Sequence, residues 1–374
     1  MPKTQPTMPK LANLPARENM PWLEDNTILF VRAGSQAYGT ALPTSDTDYK
    51  GIAVAPPEFY FGFMNNFEQA EFRDPHDAVI YDIRKFFKLA ADCNPNVLEV
   101  LFSHPTDVIC STVPGDMLRQ HRHEFLSQRA VYTFSGYAMS QLKRIRGHRA
   151  WLLNKPIKAP TRAEYGLPDH TLLPADQLAE VEAAAKKQLD RWNLDLTGME
   201  PSERIRFQTA LREYMEELSV YGDDERYLAA MRVVGVSATV AEIAAKERVY
   251  HAAQRNWAQY QDWKSKRNPL RAVLEEKYGY DTKHGMHLVR LMRMCKEILV
   301  TGEVRVRRPD AEELLGIRQG DWSYEKIVEW AEAADKEVRE LAKTTELPKK
   351  PNRKRLDELC VSIVRATHGG FARL

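Results

Sequence analysis

The sequence predicts an α/β chain of the α+β kind, with strands in the first third and helices over most of the remainder. Short runs rich in β-branched and aromatic residues stand at Thr27–Val31, Tyr49–Ala55 and Ala78–Tyr81, and such runs are typical of buried strands. Longer stretches with apolar residues at helical spacing follow, interrupted by the Pro-rich segment Lys155–Asp169. That segment indicates a linker before a large helical insertion.

Composition limits the class of protein. The chain has 374 residues, of which 43% are hydrophobic, and a net charge of +2, so it can form one large or several ordinary domains and is not basic enough to indicate nucleic acid by charge alone. Its four cysteines have no C-x-x-C spacing, which argues against a zinc or disulfide framework. We expect free thiols in a reducing, cytoplasmic compartment and no membrane span.

The first chemically informative pair is Gly34-Ser35, which follows the first predicted strand. Glycine permits a close approach of the backbone, and a serine at this position can cap a helix. The free N–H groups at the start of a helix bind phosphate. The pair therefore predicts a phosphate-binding turn between a strand and a short helix.

The second informative pair is Asp46 and Asp48, at the mouth of the next strand. Side chains two apart in a strand point to the same face. Two neighbouring carboxylates repel each other unless a cation lies between them, and Mg²⁺ is commonly held by one or two carboxylates together with substrate phosphates. Together with the glycine-serine turn, this pair indicates phosphoryl or nucleotidyl transfer.

These residues carry a family resemblance. Gly34-Ser35 followed by Ser45-Asp46-Thr47-Asp48 resembles the G-S…D-x-D signature of the DNA polymerase beta nucleotidyltransferase superfamily, and the longer string through Gly51 resembles its RNA-repair-associated, polymerase-beta-like branch. Two further segments, residues 81–99 and 283–290, fit that branch. The resemblance implies a mixed sheet with flanking helices, use of an NTP, and dependence on Mg²⁺ or Mn²⁺.

The superfamily also needs a third carboxylate on a neighbouring strand, which completes the metal site and helps to deprotonate the attacking hydroxyl. The resemblance places it at Asp82, with Asp77 as the rival. Asp82 also stands at the start of a predicted helix, Ile83–Ala91, so the alternative is that it only caps that helix. We therefore predict Asp46, Asp48 and Asp82 as catalytic residues and metal ligands.

The predicted helix Lys283–Val300 carries a basic stripe. Its apolar residues have ordinary core spacing, whereas its polar side is formed by Lys283, His284, His287, Arg290 and Arg293. One interpretation is a solvent-facing helix or one paired with acids elsewhere. The other, favoured by the resemblance, is that Lys283, His284, His287 and Arg290 bind the nucleotide with Gly34 and Ser35. The two histidines lack further ligands at suitable spacing for zinc.

We expect further helices and one more strand along the chain. The helices are Pro114–Glu124, Gln128–Leu153, Leu178–Leu194, Ser202–Leu218, Ala238–Lys264, Leu270–Tyr278, Asp321–Lys343 and Leu356–Thr367. The strand is a basic hairpin at Gly302–Arg308. The basic clusters Gln141–Arg149 and Lys349–Arg355 could contact nucleic acid or form solvated surfaces.

The expected domains are a disordered segment (1–20), a catalytic core (21–112), a helical extension with a basic cluster (113–154), a helical insertion (155–266) and a helical C-terminal region that completes the nucleotide site (267–374). The predicted function is Mg²⁺-dependent transfer of an NMP from an NTP to an acceptor hydroxyl, with an RNA or tRNA end as the expected partner. The alternatives are NMP transfer to a protein, a catalytically inactive NTP- or RNA-binding protein, and an interaction protein whose Asp pair only caps a turn.

Overall fold

The computed structural model describes residues 20–73, 76–192, 231–267 and 269–369. The predicted disordered segment (except residue 20), the loop Thr197–Pro201 and the helix Ser202–Leu218 lie outside the described residues. The chain divides into two compact units, one formed by Met1–Leu153 with Pro269–Leu374 and the other by Asn154–Asn268.

A mixed five-stranded sheet forms the centre of the first unit. Its strands are β1 (Thr27–Ala33), β2 (Asp48–Ala53), β3 (Gln69–Phe72), β4 (Ala78–Asp82) and β5 (Val108–Ser111). The strand order is β3-β4-β2-β1-β5, and β2 runs parallel to β4 whereas the other neighbours are antiparallel. The predicted fold class and the three predicted strands are confirmed.

Helices make up most of the remaining described structure. In chain order they are α1 (Gly34–Tyr38), α2 (Glu58–Phe61), α3 (Ile83–Ala91), α4 (Pro95–Leu101), α5 (Val113–Gln120), α6 (Gly136–Leu153), α7 (Ala175–Trp192), α8 (Ala238–Lys266), α9 (Pro269–Tyr278), α10 (Thr282–Thr301), α11 (Ala311–Gln319), α12 (Tyr324–Thr344) and α13 (Arg353–Thr367). A π-helical turn, Val131–Ser135, leads into α6. Helices α7 and α8 belong to the second unit.

The two faces of the sheet are covered differently. Val31 and Ile52 point into a large core shared with helices α3 to α6 and α10 to α13. Phe30 and Ile80 point into a smaller core, which is closed by Leu23 and by residues such as Phe67. Strand residues alternate between the faces, so both faces of this sheet are buried.

Helix α10 is the centre of the larger core. The apolar residues predicted for its inner side are all buried, namely Leu288, Leu291, Met292, Cys295 and Leu299. Asp281 caps its first turn by accepting a hydrogen bond of 3.0 Å from the His284 N–H. The helix ends at Gly302, whose φ of 67° suits the left-handed conformation that ends many helices.

One local prediction needs correction. Residues 302–308 form no strand, because Arg308 is buried there and its guanidinium is held by Glu297 and Asp310, at 2.7 and 2.8 Å. The apolar run from Val97 lies in helix α4, whose first turn is capped by Asn94 and begins with Pro95.

The second unit has its own small core. Leu178 and Ala185 of α7 pack with Ala241 and Ala244 of α8. Arg162 is paired with the fully buried carboxylate of Glu247, with one hydrogen bond of 3.1 Å. Among the described helices of the whole chain, none combines the length and the apolarity that a membrane crossing requires.

Candidate active site

The turn at Gly34 brings the backbone close to the Asp48 carboxylate. Gly34 has a φ of 63°. This backbone conformation is unfavourable for any L-residue that carries a side chain. Glycine adopts it readily, and the chain passes directly from β1 into α1. A Cβ at this position would collide with the Asp48 carboxylate. Ser35 lies inside α1, and the N-cap is Ala33, which makes no side-chain cap. The prediction that Ser35 caps this helix is therefore wrong.

Asp48 is the first residue of β2 and pairs with Ala33 at the end of β1. Asp46 lies in the preceding loop and is exposed, so it precedes the strand that was predicted to carry both carboxylates. The structure nevertheless keeps Asp46, Asp48 and the Gly34 turn at the same end of the sheet.

Asp77 completes this acidic group. The parallel pairing of β2 with β4 sets Tyr49 beside Ala78, and the Tyr49 N–H donates to the Asp77 carbonyl at 2.8 Å. Asp77 immediately precedes Ala78, so Asp48 and Asp77 stand side by side where the neighbouring strands β2 and β4 begin. Asp46, Asp48 and Asp77 are called the acidic site below.

Burial and the charges of the acidic site both act on the pKa of Asp48. Burial raises the pKa of this carboxyl, and Asp77 and Asp46 raise it further because like charges disfavour ionisation. Lys283 and Lys50 act in the opposite direction. The site thus contains one half-buried carboxylate whose ionised form is opposed by two others and favoured by two cations.

Asp82 is not part of this site. It pairs with Ala53 at the other end of β2, about 16 Å from Asp77 at the usual rise per strand residue. Its buried carboxylate accepts hydrogen bonds from the Arg84 backbone at 2.9 Å and from the Tyr60 hydroxyl at 3.0 Å. The predicted role of Asp82 as third metal ligand is therefore wrong, and it is the cap of α3.

Arg290 is also placed differently from the prediction. It is 3% exposed, and its Nη1 donates to Glu99 Oε1 at 2.6 Å. The guanidinium lies 3.8 Å from the centre of the Tyr38 ring, and the Tyr38 hydroxyl donates to Glu99 Oε2 at 2.7 Å. The Arg290 guanidinium is thus paired with Glu99 in the core and does not reach the acidic site as a phosphate ligand.

The rest of the basic stripe is less positive than its sequence indicated. Burial lowers the pKa of His287 well below its usual range, and the neighbouring Arg290, Lys283 and His284 lower it further, so His287 is neutral near pH 7. Arg293 is held by Asp310 and Glu313, at 2.6 and 2.7 Å. The positive charges of Arg290 and Arg293 are therefore balanced by acidic side chains, as the first interpretation of the stripe predicted.

His284 and Lys283 differ in what they face. His284 Nδ1 is 2.6 Å from Gln141 Oε1, and its Nε2 is 3.4 Å from Asp281 Oδ2. Lys283 is close enough to the acidic site to lower the pKa of Asp48. Of the four residues of α10 predicted to bind nucleotide, Lys283 is the one whose charge acts on the acidic site.

Lys50 is a site residue that the sequence reasoning missed. It lies two residues after Asp48 on β2, and its Nζ donates to the Asn96 carbonyl at 2.8 Å. Burial lowers its pKa, which the nearby Glu99 and Asp48 partly restore. The spacing of two from Asp48 in a strand was the signal that could have found it.

The acidic site fits a divalent cation with oxygen ligands. Its donors are carboxylates, which are the ligands that Mg²⁺ and Mn²⁺ take. Burial and then repulsion by Asp77 and Asp46 raise the pKa of Asp48, and such a cation would remove the repulsion.

Comparison with known proteins bears on the family resemblance. Residues 4–155 match RlaP, the RNA repair pathway DNA polymerase beta family, which confirms the resemblance of this part of the chain to the polymerase-beta-like branch. An uncharacterised 38.9 kDa protein from the nrdC-mobD intergenic region of Enterobacteria phage T4 is 30% identical over 138 residues, spanning 33% of this chain and 41% of the phage protein. No solved structure gives a significant match.

Proposed function

We propose, from the match of residues 4–155 to the polymerase beta family of the RNA repair pathway, that the chain is a nucleotidyltransferase. It would transfer an NMP from an NTP to an acceptor hydroxyl and release pyrophosphate. The observation that carries the proposal is the placement of Asp77 beside Asp48, with the Gly34 turn against the Asp48 carboxylate.

Asp46, Asp48 and Asp77 would hold one or two Mg²⁺ or Mn²⁺ ions. When bound, such ions stabilise charge on the attacking and leaving oxygens of an in-line displacement. This assignment keeps two of the three carboxylates predicted from the sequence and replaces Asp82 by Asp77, the rival considered there.

The chain's own groups would bind and orient the NTP. The backbone of Gly34 and Ser35 would approach the triphosphate, because no side chain caps the first turn of α1. Lys283 would offset phosphate charge. Asp77 is more exposed than Asp48. Asp77 would accept the proton of the acceptor hydroxyl.

The acceptor that we propose is an RNA end. The family description supports RNA repair, and Lys143 and Arg144 of the basic cluster on α6 are exposed. Other members of that cluster are already paired, such as Arg146 with Glu332 at 2.6 Å. Exposed cations along a helix suit contact with phosphates of a nucleic acid backbone.

The experiment is label transfer from each of the four α-labelled NTPs, with Mg²⁺ or Mn²⁺, to RNA, tRNA and protein acceptors. We expect metal-dependent labelling of RNA by the wild-type chain, and its loss in Asp46→Ala with Asp48→Ala. An equal rate in that double variant would refute the assignment, and labelling of protein alone would replace RNA by a protein acceptor. A rise in Tm with Mg²⁺ and an NTP, without any transfer, would indicate a binding protein.

A further inference from the structure

A second group of metal-ligating side chains lies at the start of α10. His148 of α6, Asp281 and His284 bring one ligand atom each to within 4.8 Å of one another. Asp281 is buried, and both histidines are partly buried. These residues are separate from Asp46, Asp48 and Asp77, and they offer two imidazoles and one carboxylate instead of three carboxylates.

One distance within this cluster matches a tetrahedral metal site, and all three ligand atoms lie within 4.8 Å of one another. His284 Nε2 lies 3.4 Å from Asp281 Oδ2. Two ligand atoms bound to a tetrahedral Zn²⁺ at 2.0–2.1 Å lie about 3.3 Å apart. The rings of His148 and His284 have their centroids 5.8 Å apart and meet edge to face, so both rings face the same small space.

Neighbouring groups orient the ligand atoms. Gln141 is 3% exposed and its Oε1 is 2.6 Å from His284 Nδ1, so Nδ1 donates to it and the lone pair of a neutral His284 lies on Nε2. Asp281 uses Oδ1 to cap α10, which leaves Oδ2 toward His284. Metal-binding histidines usually have this kind of support on their second nitrogen.

We propose that His148, Asp281 and His284 bind a divalent transition metal of the Zn²⁺ class, at a site distinct from the acidic site. Three protein ligands leave a fourth position for water. The ion joins α6 to the first turn of α10. It thereby fixes the turn that carries Lys283, whose charge acts on Asp48.

The test measures Zn²⁺ and Co²⁺ binding by the full-length chain after removal of metal with a chelator. Millimolar Mg²⁺ is present throughout to occupy the acidic site. We expect one Zn²⁺ per chain, a Co²⁺ absorption spectrum typical of nitrogen and oxygen ligands in a tetrahedral site, and a higher Tm with Zn²⁺.

Variants locate the ion. His148→Gln and Asp281→Asn are each expected to lower Zn²⁺ affinity at least tenfold and to abolish the Tm shift, whereas His287→Gln, one turn further along α10, is expected to keep both. Circular dichroism checks that each variant folds. A wild-type chain that binds no Zn²⁺ or Co²⁺ at micromolar concentrations would overturn the proposal, as would unchanged stoichiometry in both ligand variants. These readouts require no NTP turnover, so they are independent of the proposed nucleotidyl transfer.

Discussion

Arg290 and Glu99 form an ion pair of 2.6 Å in which both side chains are more than nine-tenths buried. Tyr38 joins the pair through its hydroxyl and its ring. The three residues come from the three separate stretches that carry the family resemblance, around residues 38, 99 and 290. The contacts among these three residues join α1, α4 and α10. They thereby hold α10, which carries Lys283, against the part of the chain that carries the acidic site.

Breaking this pair is expected to be costly for stability. Glu99→Gln or Arg290→Met alone should each lower the free energy of unfolding by about 3–5 kcal/mol, because each leaves a buried polar partner uncompensated. The double variant should lose clearly less than the sum. Urea unfolding at pH 7 of the four proteins measures the coupling, and additive losses would show that the pair does not interact in this way.

The same pair predicts an acid-sensitive contribution to stability. Burial is the largest influence on Glu99 and raises its pKa, but Arg290, Lys50 and the Tyr38 hydrogen bond together hold it below its usual value. A depressed folded-state pKa gives stability that is present above the unfolded value of about 4.3 and is lost as pH falls through the folded pKa. The free energy of unfolding of Glu99→Gln should therefore fall less between pH 5 and pH 3 than that of the wild type. Equal slopes would contradict the assignment.

Gly34 and Gly39 allow conformational strain to be separated from crowding of the site. Both have positive φ, of 63° and 76°, so Ala at either position should cost about 1–2 kcal/mol of stability. Only at Gly34 would the new Cβ displace the Asp48 carboxylate, since at Gly39 it would meet Ala311 at an ordinary 3.5 Å. We expect Gly34→Ala to lower NMP transfer more than tenfold and Gly39→Ala to retain it. Equal activities in the two variants would argue against a role for close approach at Gly34.

The sequence predicted local features better than long-range partners. It gave β1, β2, β4 and most helices, because their apolar periodicity is long enough to read, but it missed β3 and β5, which have four residues each. It also predicted Asp46, Asp48 and Gly34 in one region. It wrongly chose Asp82 over Asp77 as the third carboxylate, because both flank β4 and only the pairing with β2 decides which end is the site. The burial of Arg290 could not be predicted from the sequence either, because its partner Glu99 is distant in the chain.

Lys283 is expected to act on the nucleotide and Lys296, on the same helix, is its control. Lys296 forms a half-exposed ion pair of 2.6 Å with Glu337, and exposed pairs of this kind contribute about 0–1 kcal/mol. Lys283→Ala should raise KM for the NTP at least tenfold, whereas Lys296→Ala should leave KM and kcat near the wild-type values. Steady-state kinetics over a range of NTP concentrations measures both. Unchanged KM in Lys283→Ala would remove Lys283 from the site.

The choice between Asp77 and Asp82 can be tested with two isosteric variants at opposite ends of one strand. Asp77→Asn should lower kcat for NMP transfer at least 100-fold, about 2.7 kcal/mol in the barrier, because a neutral amide neither compensates a divalent cation nor accepts the hydroxyl proton. Asp82→Asn should retain activity, because Asn can still cap α3. Its expected effect is a loss of about 1–3 kcal/mol in stability, since the carboxylate loses its ion pair with Arg84 at 3.1 Å. Label transfer and urea unfolding on both proteins give the two readouts. An active Asp77→Asn beside an inactive, folded Asp82→Asn would reverse the assignment and require a different pairing of β4 with β2.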